Sequence, residues 1–207
     1  MRLLAWVFCS VLLGAGVTAQ STPIYRVGDK VSSARSIWHG EVSAGYIFSS
    51  QQLESTIESD KTPRLQGFEM RALWAPLAWL AVGAQATRLG DEKLAPFVKE
   101  YKVDSVAGVM KLTLSPDTTP CFYLLAGLGK SKHKLTYDHS LPIYGKPVEK
   151  DFSFWMLGLG VETDVWKFIF VGIEGTLTHY NKTQMTAFYS ISSKMQTALH
   201  LRAGVRF

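Results

Sequence analysis

The chain has 207 residues, of which 47% are hydrophobic, 12% aromatic and 19% charged, and its formal net charge is +5 at pH 7. This composition is far too polar for a bundle of membrane-spanning helices, and it is slightly apolar for a water-soluble domain. The basic balance raises nucleic acid as a partner, but no predicted helix carries the basic stripe that would bind it.

The N-terminus carries the one long apolar run. Met1 and Arg2 give a short positive start, residues 3–17 are almost wholly apolar, and the small side chains that a signal peptidase reads follow up to Ala19. The run is too short for a transmembrane helix. It predicts a secretory signal peptide over residues 1–19, followed by a polar lead-in segment over residues 20–36. An exported chain has little access to nucleic acid, so we expect no such partner.

The cysteine content agrees with a fold stabilised by a large sheet rather than by disulfides. Cleavage after Ala19 would remove Cys9 and leave Cys121 as the single cysteine of the mature chain. No intramolecular disulfide is then expected.

From residue 37 onward, segments of about ten residues alternate in polarity, which is the pattern of β-strands. No helical periodicity is sustained over a similar length. We predict eight strands, at residues 37–49, 65–75, 79–89, 103–114, 121–133, 152–165, 168–180 and 196–207.

The links between these strands alternate between long and short. Residues 50–64, 90–102, 134–151 and 181–195 form long polar links, whereas residues 76–78, 115–120 and 166–167 form short ones. An antiparallel up-and-down barrel with loops on one side and turns on the other produces this alternation. A soluble sandwich has no reason to sort its links by length. The sequence therefore predicts an all-β, eight-stranded antiparallel barrel over residues 37–207.

One face of the predicted strands is continuously apolar. A soluble lipocalin-like barrel would turn that face inward, and a membrane barrel turns it outward to lipid. The placement of aromatic rings at strand ends favours lipid, because such rings form belts at the membrane boundary. The predicted belt on the turn side consists of Trp38, Trp74, Trp79, Trp166 and Phe207.

The opposite face carries acids and bases in equal number. An eight-stranded lumen is just wide enough for side chains to fill, so these charges would pair with one another inside it. On a solvated face they would be ordinary surface charges. The predicted lumen network consists of Glu41, Glu69, Arg71, Lys111, Glu162, Glu174, Arg202 and Arg206.

Two segments resemble the small OmpA-like and opacity-type barrel family. Residues 199–207 alternate in polarity and end in phenylalanine, which looks like the terminal strand that the outer-membrane assembly machinery recognises. Residues 157–162 and 170–175, joined by a short turn, resemble the penultimate hairpin of those barrels. The resemblance implies an eight-stranded transmembrane barrel in the bacterial outer membrane, with short periplasmic turns, longer extracellular loops and the lead-in segment in the periplasm. It also implies that the assembly machinery binds the C-terminal strand.

Two places could carry chemistry. The lipid A deacylase family uses a membrane-embedded His–Ser–acid arrangement on its late strands, but here Asn181 stands where the nucleophilic serine would follow His179, so acyl transfer lacks its attacking group. His133 and His139 flank the third long loop, whereas a metal site needs three or four converging ligands. We expect no catalytic residue, no metal and no cofactor.

Lysines gather toward the loop rim, where they would meet the phosphates of outer-membrane lipids and lipopolysaccharide. A solvated rim is the alternative interpretation. The predicted basic rim consists of Lys132, Lys134, Lys146, Lys150 and Lys182. We predict a monomeric, non-enzymatic barrel with a closed lumen and a structural or surface-interaction role. The alternative is a membrane-embedded lipid-modifying enzyme or a small-solute pore on the same barrel.

Overall fold

The computed structural model describes residues 39–50, 53–55, 64–92, 98–114, 116, 119–137, 147–181, 189–191 and 195–207. Their strands are β1 (Gly40–Ser50), β2 (Leu53–Ser55), β3 (Arg64–Leu77), β4 (Leu80–Glu92), β5 (Val98–Thr113), β6 (Cys121–Tyr137), β7 (Val148–Asp164), β8 (Ile169–Tyr180), β9 (Tyr189–Ile191) and β10 (Met195–Arg206). The predicted signal peptide, the lead-in segment and Trp38 lie outside the described residues.

Eight of these strands, all except β2 and β9, form a closed barrel in which β10 returns to pair with β1. Each barrel strand is antiparallel to both of its neighbours. Closure pairs every barrel strand on both sides and so removes the sheet edges that would otherwise be open to aggregation. The prediction of an all-β, eight-stranded antiparallel barrel is therefore confirmed.

No helix in the described part of the chain is long and apolar enough to cross a membrane.

Phe207 closes the barrel through its backbone. Its carbonyl accepts hydrogen bonds from the amides of His39 and Gly40 at 2.9 Å, and its own amide donates to the Gly40 carbonyl at 3.0 Å. The ring lies so close to Gly40 that a Cβ there would come within 2.8 Å of it. Glycine at position 40 thus lets the C-terminal ring pack directly on the first strand.

Glycines at inward positions lie opposite bulky side chains on the neighbouring strands. Tyr123 pairs with Gly160, and Gly204 pairs with Phe170. A Cβ at Gly160 would collide with the Tyr123 ring, and one at Gly204 would come within 2.6 Å of the Phe170 ring. These glycines make room in the narrow lumen for rings that a side chain would displace.

Several strands run further toward the loops than predicted. β5 begins at Val98 rather than at residue 103, β6 continues to Tyr137 rather than 133, and β7 begins at Val148 rather than 152. The extensions of β5 and β7 contain lysines and acids close together. Such polar stretches predict loops when only the sequence is considered. Polar side chains such as those of Lys102 and Lys134, which are paired in the register, face outward on these extended strands.

Two of the predicted loops also contain strand. β2 lies within the link after β1, and β9 lies within the link before β10. They pair antiparallel, with Leu53 opposite Ile191. Three-residue strands are too short to produce a readable alternation, so the sequence did not reveal this ribbon.

Candidate functional site

The outer wall of the barrel is an apolar band. Outward positions such as Phe68, Leu128 and Leu159 are more than half exposed to the surroundings. On β8 the band runs from Ile169 to Leu177, which at about 3.3 Å per residue and a strand tilt near 45° spans on the order of 20 Å. Outer-membrane barrels carry an outward apolar band of about 25 Å. A wall of this kind is suited to lipid rather than to water.

Aromatic rings border the band at the turn end. The structure places Trp74 on β3, Trp79 in the β3–β4 turn, Trp166 in the β7–β8 turn and Phe207 at the C-terminus, each with its side chain about half exposed or more. Amphipathic rings occupy the membrane–water boundary in barrels of this type.

A second set of rings lies toward the loop end. Trp155 stacks on His179 with ring centroids 5.1 Å apart. Tyr46 contacts the ring of Phe68 edge-on at 5.1 Å, and its hydroxyl donates to Gln66 at 2.8 Å. The apolar band thus has rings with polar atoms at both ends.

The lumen near the turn end is crossed by a lysine held between two acids. The Nζ of Lys111 donates to both carboxylate oxygens of Glu41 at 2.8 and 3.0 Å, and to both of Glu162 at 2.9 and 3.0 Å. Arg206 donates to Glu162 at 2.6 Å and also pairs with Asp164. These groups come from β1, β5, β7 and β10, so the floor of the lumen ties together opposite walls of the barrel.

The middle of the lumen holds a second cluster around Arg71. Its guanidinium makes a bidentate contact to Glu174 at 2.8 and 2.9 Å, and it donates to Gln85 at 2.7 and 3.0 Å. Tyr123 donates to Glu174 at 2.8 Å and accepts a hydrogen bond from Arg202. A bidentate arginine–carboxylate pair is among the strongest polar contacts in proteins.

The eight charges predicted for the lumen all lie inside the barrel, and the structure brings them into these two clusters. Sequence reasoning missed His200, whose Nδ1 lies 2.9 Å from Glu69 while its Nε2 lies 2.8 Å from Thr176. It also missed Gln85 and Tyr123, because neutral side chains add nothing to a count of charges. All three share the inward phase of their strands, which is the signal that could have found them.

A small chamber with a mainly apolar lining lies above these clusters. It measures about 40 Å³ and is bordered by Ser49, Thr176, Gln196 and His200, among others. A volume of this size admits water but not a solute. Below the chamber, Glu69 Oε1 and Arg202 Nε have no hydrogen-bond partner among the described residues.

An aromatic cap, formed by rings packed around His133, lies in the lumen toward the loops. His133 is fully buried, with its Nδ1 2.6 Å from the Tyr101 hydroxyl and its Nε2 2.8 Å from Ser131. The rings of Phe152 and Tyr180 pack edge-on against it at 4.8 and 5.1 Å. The expectation that His133 flanks a loop is wrong, because β6 continues past it and its position faces inward. His139 lies outside the described residues.

Among the described residues, no group of three or more histidines, cysteines or acids could hold a metal ion. His179 faces outward against Trp155, and Ser190 lies in β9. Ser192 and Ser193 lie outside the described residues.

Three of the lysines predicted for the rim, Lys132, Lys134 and Lys150, lie on the outer wall above the apolar band. Lys132 and Lys134 share the carboxylate of Glu149, at 2.6 and 3.2 Å. A hydrogen bond from Lys132, and next to it one from Lys134, lowers the pKa of Glu149 below its ordinary value. Lys150 is exposed near the start of β7, while Lys146 and Lys182 lie outside the described residues.

Comparison with solved structures finds small barrels of the same kind. Ail, the attachment invasion locus protein of Yersinia pestis, matches with a TM-score of 0.53 at 14% identity, covering 82% of this chain and 99% of that chain. Neisserial surface protein A (NspA) matches with a TM-score of 0.57 at 14% identity, covering 81% and 97%. Ail has also been solved in complex with the heparin analogue sucrose octasulfate, and that structure matches with a TM-score of 0.50 at 18% identity, covering 82% and 99%.

No protein-family model matches the sequence, and no curated protein matches it. The structural likeness establishes the fold, which is that of the small eight-stranded outer-membrane barrels. The predicted likeness to this group of barrels is therefore confirmed at the level of the fold, and the predicted outer-membrane location is consistent with it.

Proposed function

We propose that this protein is a monomeric, non-enzymatic outer-membrane barrel whose lumen is closed by paired charges, and that it acts in envelope integrity or surface contact through its loop end. The observation that carries the proposal is Lys111, which is held between Glu41 and Glu162 across the lumen at 2.8–3.0 Å. A cation fixed between opposite walls obstructs the passage of a solute at this level of the lumen.

Two further layers support closure. Arg71 and Glu174 bridge the middle of the lumen, and the cap around His133 fills its loop end. Separating either pair would leave a buried charge without its partner, which is unfavourable, so the floor and the middle cluster both oppose opening of the lumen. The alternative of a small-solute pore requires all three layers to move together.

The test of closure is a planar-bilayer recording with the purified full chain. Correct folding is first established by its heat-dependent shift in gel migration. We expect no steady conductance from the folded protein. A steady, large conductance from the same preparation would overturn the closed lumen.

The non-enzymatic part of the proposal has its own test. Cells that express the wild-type chain are compared with cells that express His179→Ala or His133→Ala, and their lipid A is analysed by mass spectrometry. We expect the same lipid A masses in all three. A new lipid A species that depends on either histidine would establish the alternative of a lipid-modifying enzyme.

We also propose two partners. Lipopolysaccharide phosphates meet the lysines above the apolar band, among them Lys132 and Lys134, which share the carboxylate of Glu149. The complex of Ail with a sulfated sugar analogue is a precedent for anion binding by a barrel of this shape. The assembly machinery binds β10, whose outward residues alternate up to Phe207.

A further inference from the structure

A groove on the lipid-facing wall crosses β4, β5, β6 and β7. It has a volume of about 550 Å³, and its outward-facing border includes Val82, Gly108, Met110, Ala126, Leu128 and Trp155. It is concave because Gly108 and Ala126 project little or nothing from the sheet, whereas Met110 and Leu128 stand up beside them. Ala84 lies next to Gly108 in the register, so the floor of the groove continues onto β4.

A cation stands at the loop end of this groove. Lys130 is exposed and faces outward on β6, two residues beyond Leu128, a step of about 7 Å along a strand. Its neighbours in the register are Val106 and Ser153. In contrast to Lys132 and Lys134, it forms no ion pair with another described residue.

The ring pair of Trp155 and His179 stands beside the same end of the groove. Trp155 pairs with Leu128 in the register, and its indole stacks on the imidazole. Rings of this kind mark the level where acyl chains give way to head groups. The lysine therefore lies at head-group height, directly above an apolar groove.

We infer that this groove binds one acyl chain of a phosphorylated lipid of the outer leaflet, with Lys130 contacting the lipid phosphate. A lysine ammonium pairs with phosphate as a point charge, and a groove among taller side chains accommodates a flexible apolar chain. This inference rests on the proposed outer-membrane location, but it is independent of whether the lumen is closed.

Two exposed glycines, Gly108 and Gly175, allow a test variant and a matched control. A Cβ built at Gly108 meets only the Leu128 carbonyl oxygen, at 4.0 Å, so a leucine there fills the groove without a clash. Gly175 is also exposed, on β8, and a Cβ there meets nothing within 4 Å. Gly175→Leu therefore adds the same bulk to a different part of the wall. As a control for the charge, Lys99→Gln removes a lysine from an exposed position on the neighbouring strand β5.

The experiment measures lipid retained by the full chain in native mass spectrometry after incubation with bisphosphorylated lipid A in mild detergent. Each variant is first checked for the heat-dependent gel shift of a folded barrel. We expect Lys130→Gln to lower the retained fraction about fivefold, since one lysine at a membrane surface contributes on the order of this factor. Gly108→Leu should also lower it, because the leucine side chain fills the groove. Gly175→Leu, Lys99→Gln and Lys130→Arg should retain lipid like the wild type.

Two probes identify the ligand chemistry. Dephosphorylated lipid A should bind more weakly to the wild type and show no dependence on Lys130, and inorganic phosphate should not displace the lipid. Equal retention by all variants would overturn the inference in favour of an unspecific lipid shell. A wild-type dimer that Gly108→Leu abolishes would instead assign the groove to a second copy of the chain. A conducting barrel that still shows the Lys130 dependence would contradict the closed lumen and leave this site standing.

Discussion

At the scale of single residues, strand phase decides which side chains meet. Glu174 and Arg71 are separated by 103 positions in the chain, yet they form a fully buried bidentate pair. Both occupy inward positions, which the alternation of β3 and β8 makes readable from sequence. Their pairing depends on how eight strands are staggered around the barrel, which no local pattern contains. The set of lumen charges was therefore predictable, and the partners within it were not.

The Arg71–Glu174 pair yields a stability prediction. Glu174→Leu leaves the Arg71 guanidinium without its bidentate partner in a buried site, and we expect a loss of about 3–5 kcal/mol in the free energy of unfolding. The double variant Arg71→Met/Glu174→Leu removes both charges and should lose clearly less than the single one. Denaturant unfolding in detergent or in vesicles measures both. A single variant within about 0.5 kcal/mol of the wild type would fall in the range of ordinary surface changes and contradict the assignment.

At the scale of strands, the apolar band was readable and the strand ends were not. The alternation of β8 and β10 marks their lipid-facing residues directly. Beyond the band, β5, β6 and β7 continue with charged residues on their outward faces, for example Asp104 and Lys132, which are paired in the register. Above the membrane a strand needs no apolar face, so its polarity there resembles that of a loop.

The band predicts a depth-dependent cost of charge. Leu201 faces outward in the apolar stretch of β10, and Thr197 faces outward nearer its loop end. We expect Leu201→Arg to cost about 2–4 kcal/mol and Thr197→Arg about 0–1 kcal/mol, because the penalty for arginine falls from the bilayer midplane to the interface. Equilibrium folding into lipid vesicles measures the difference. Equal losses of folding free energy at the two positions would contradict the assignment of the apolar band on β10.

At the scale of the whole molecule, link lengths carried the fold. Long and short links alternate in the sequence because loops emerge at one end of the barrel and turns at the other. The longer observed strands blur this alternation, since the β4–β5 link spans only residues 93–97 and the β5–β6 link spans residues 114–120. The ribbon of β2 and β9 and the cap around His133 could not be predicted in this way. Both depend on long-range contacts toward the loop end of the barrel. There the alternation of polar and apolar residues no longer distinguishes a membrane-facing side from an inward side.

The central claim is a barrel with its apolar face in lipid and a filled, closed interior. Single cysteines placed in a Cys121→Ser background test it most directly, at the outward positions Ile173 and Leu201 and at the inward positions Ala107 and Ala198, in protein reconstituted into vesicles. The account predicts that a probe at the outward cysteines is quenched from the lipid phase, while the inward cysteines react with neither lipid-soluble nor water-soluble reagents. Inward cysteines that label rapidly from water would contradict the closed lumen. Outward cysteines that label from water and escape lipid quenching would contradict the membrane barrel itself.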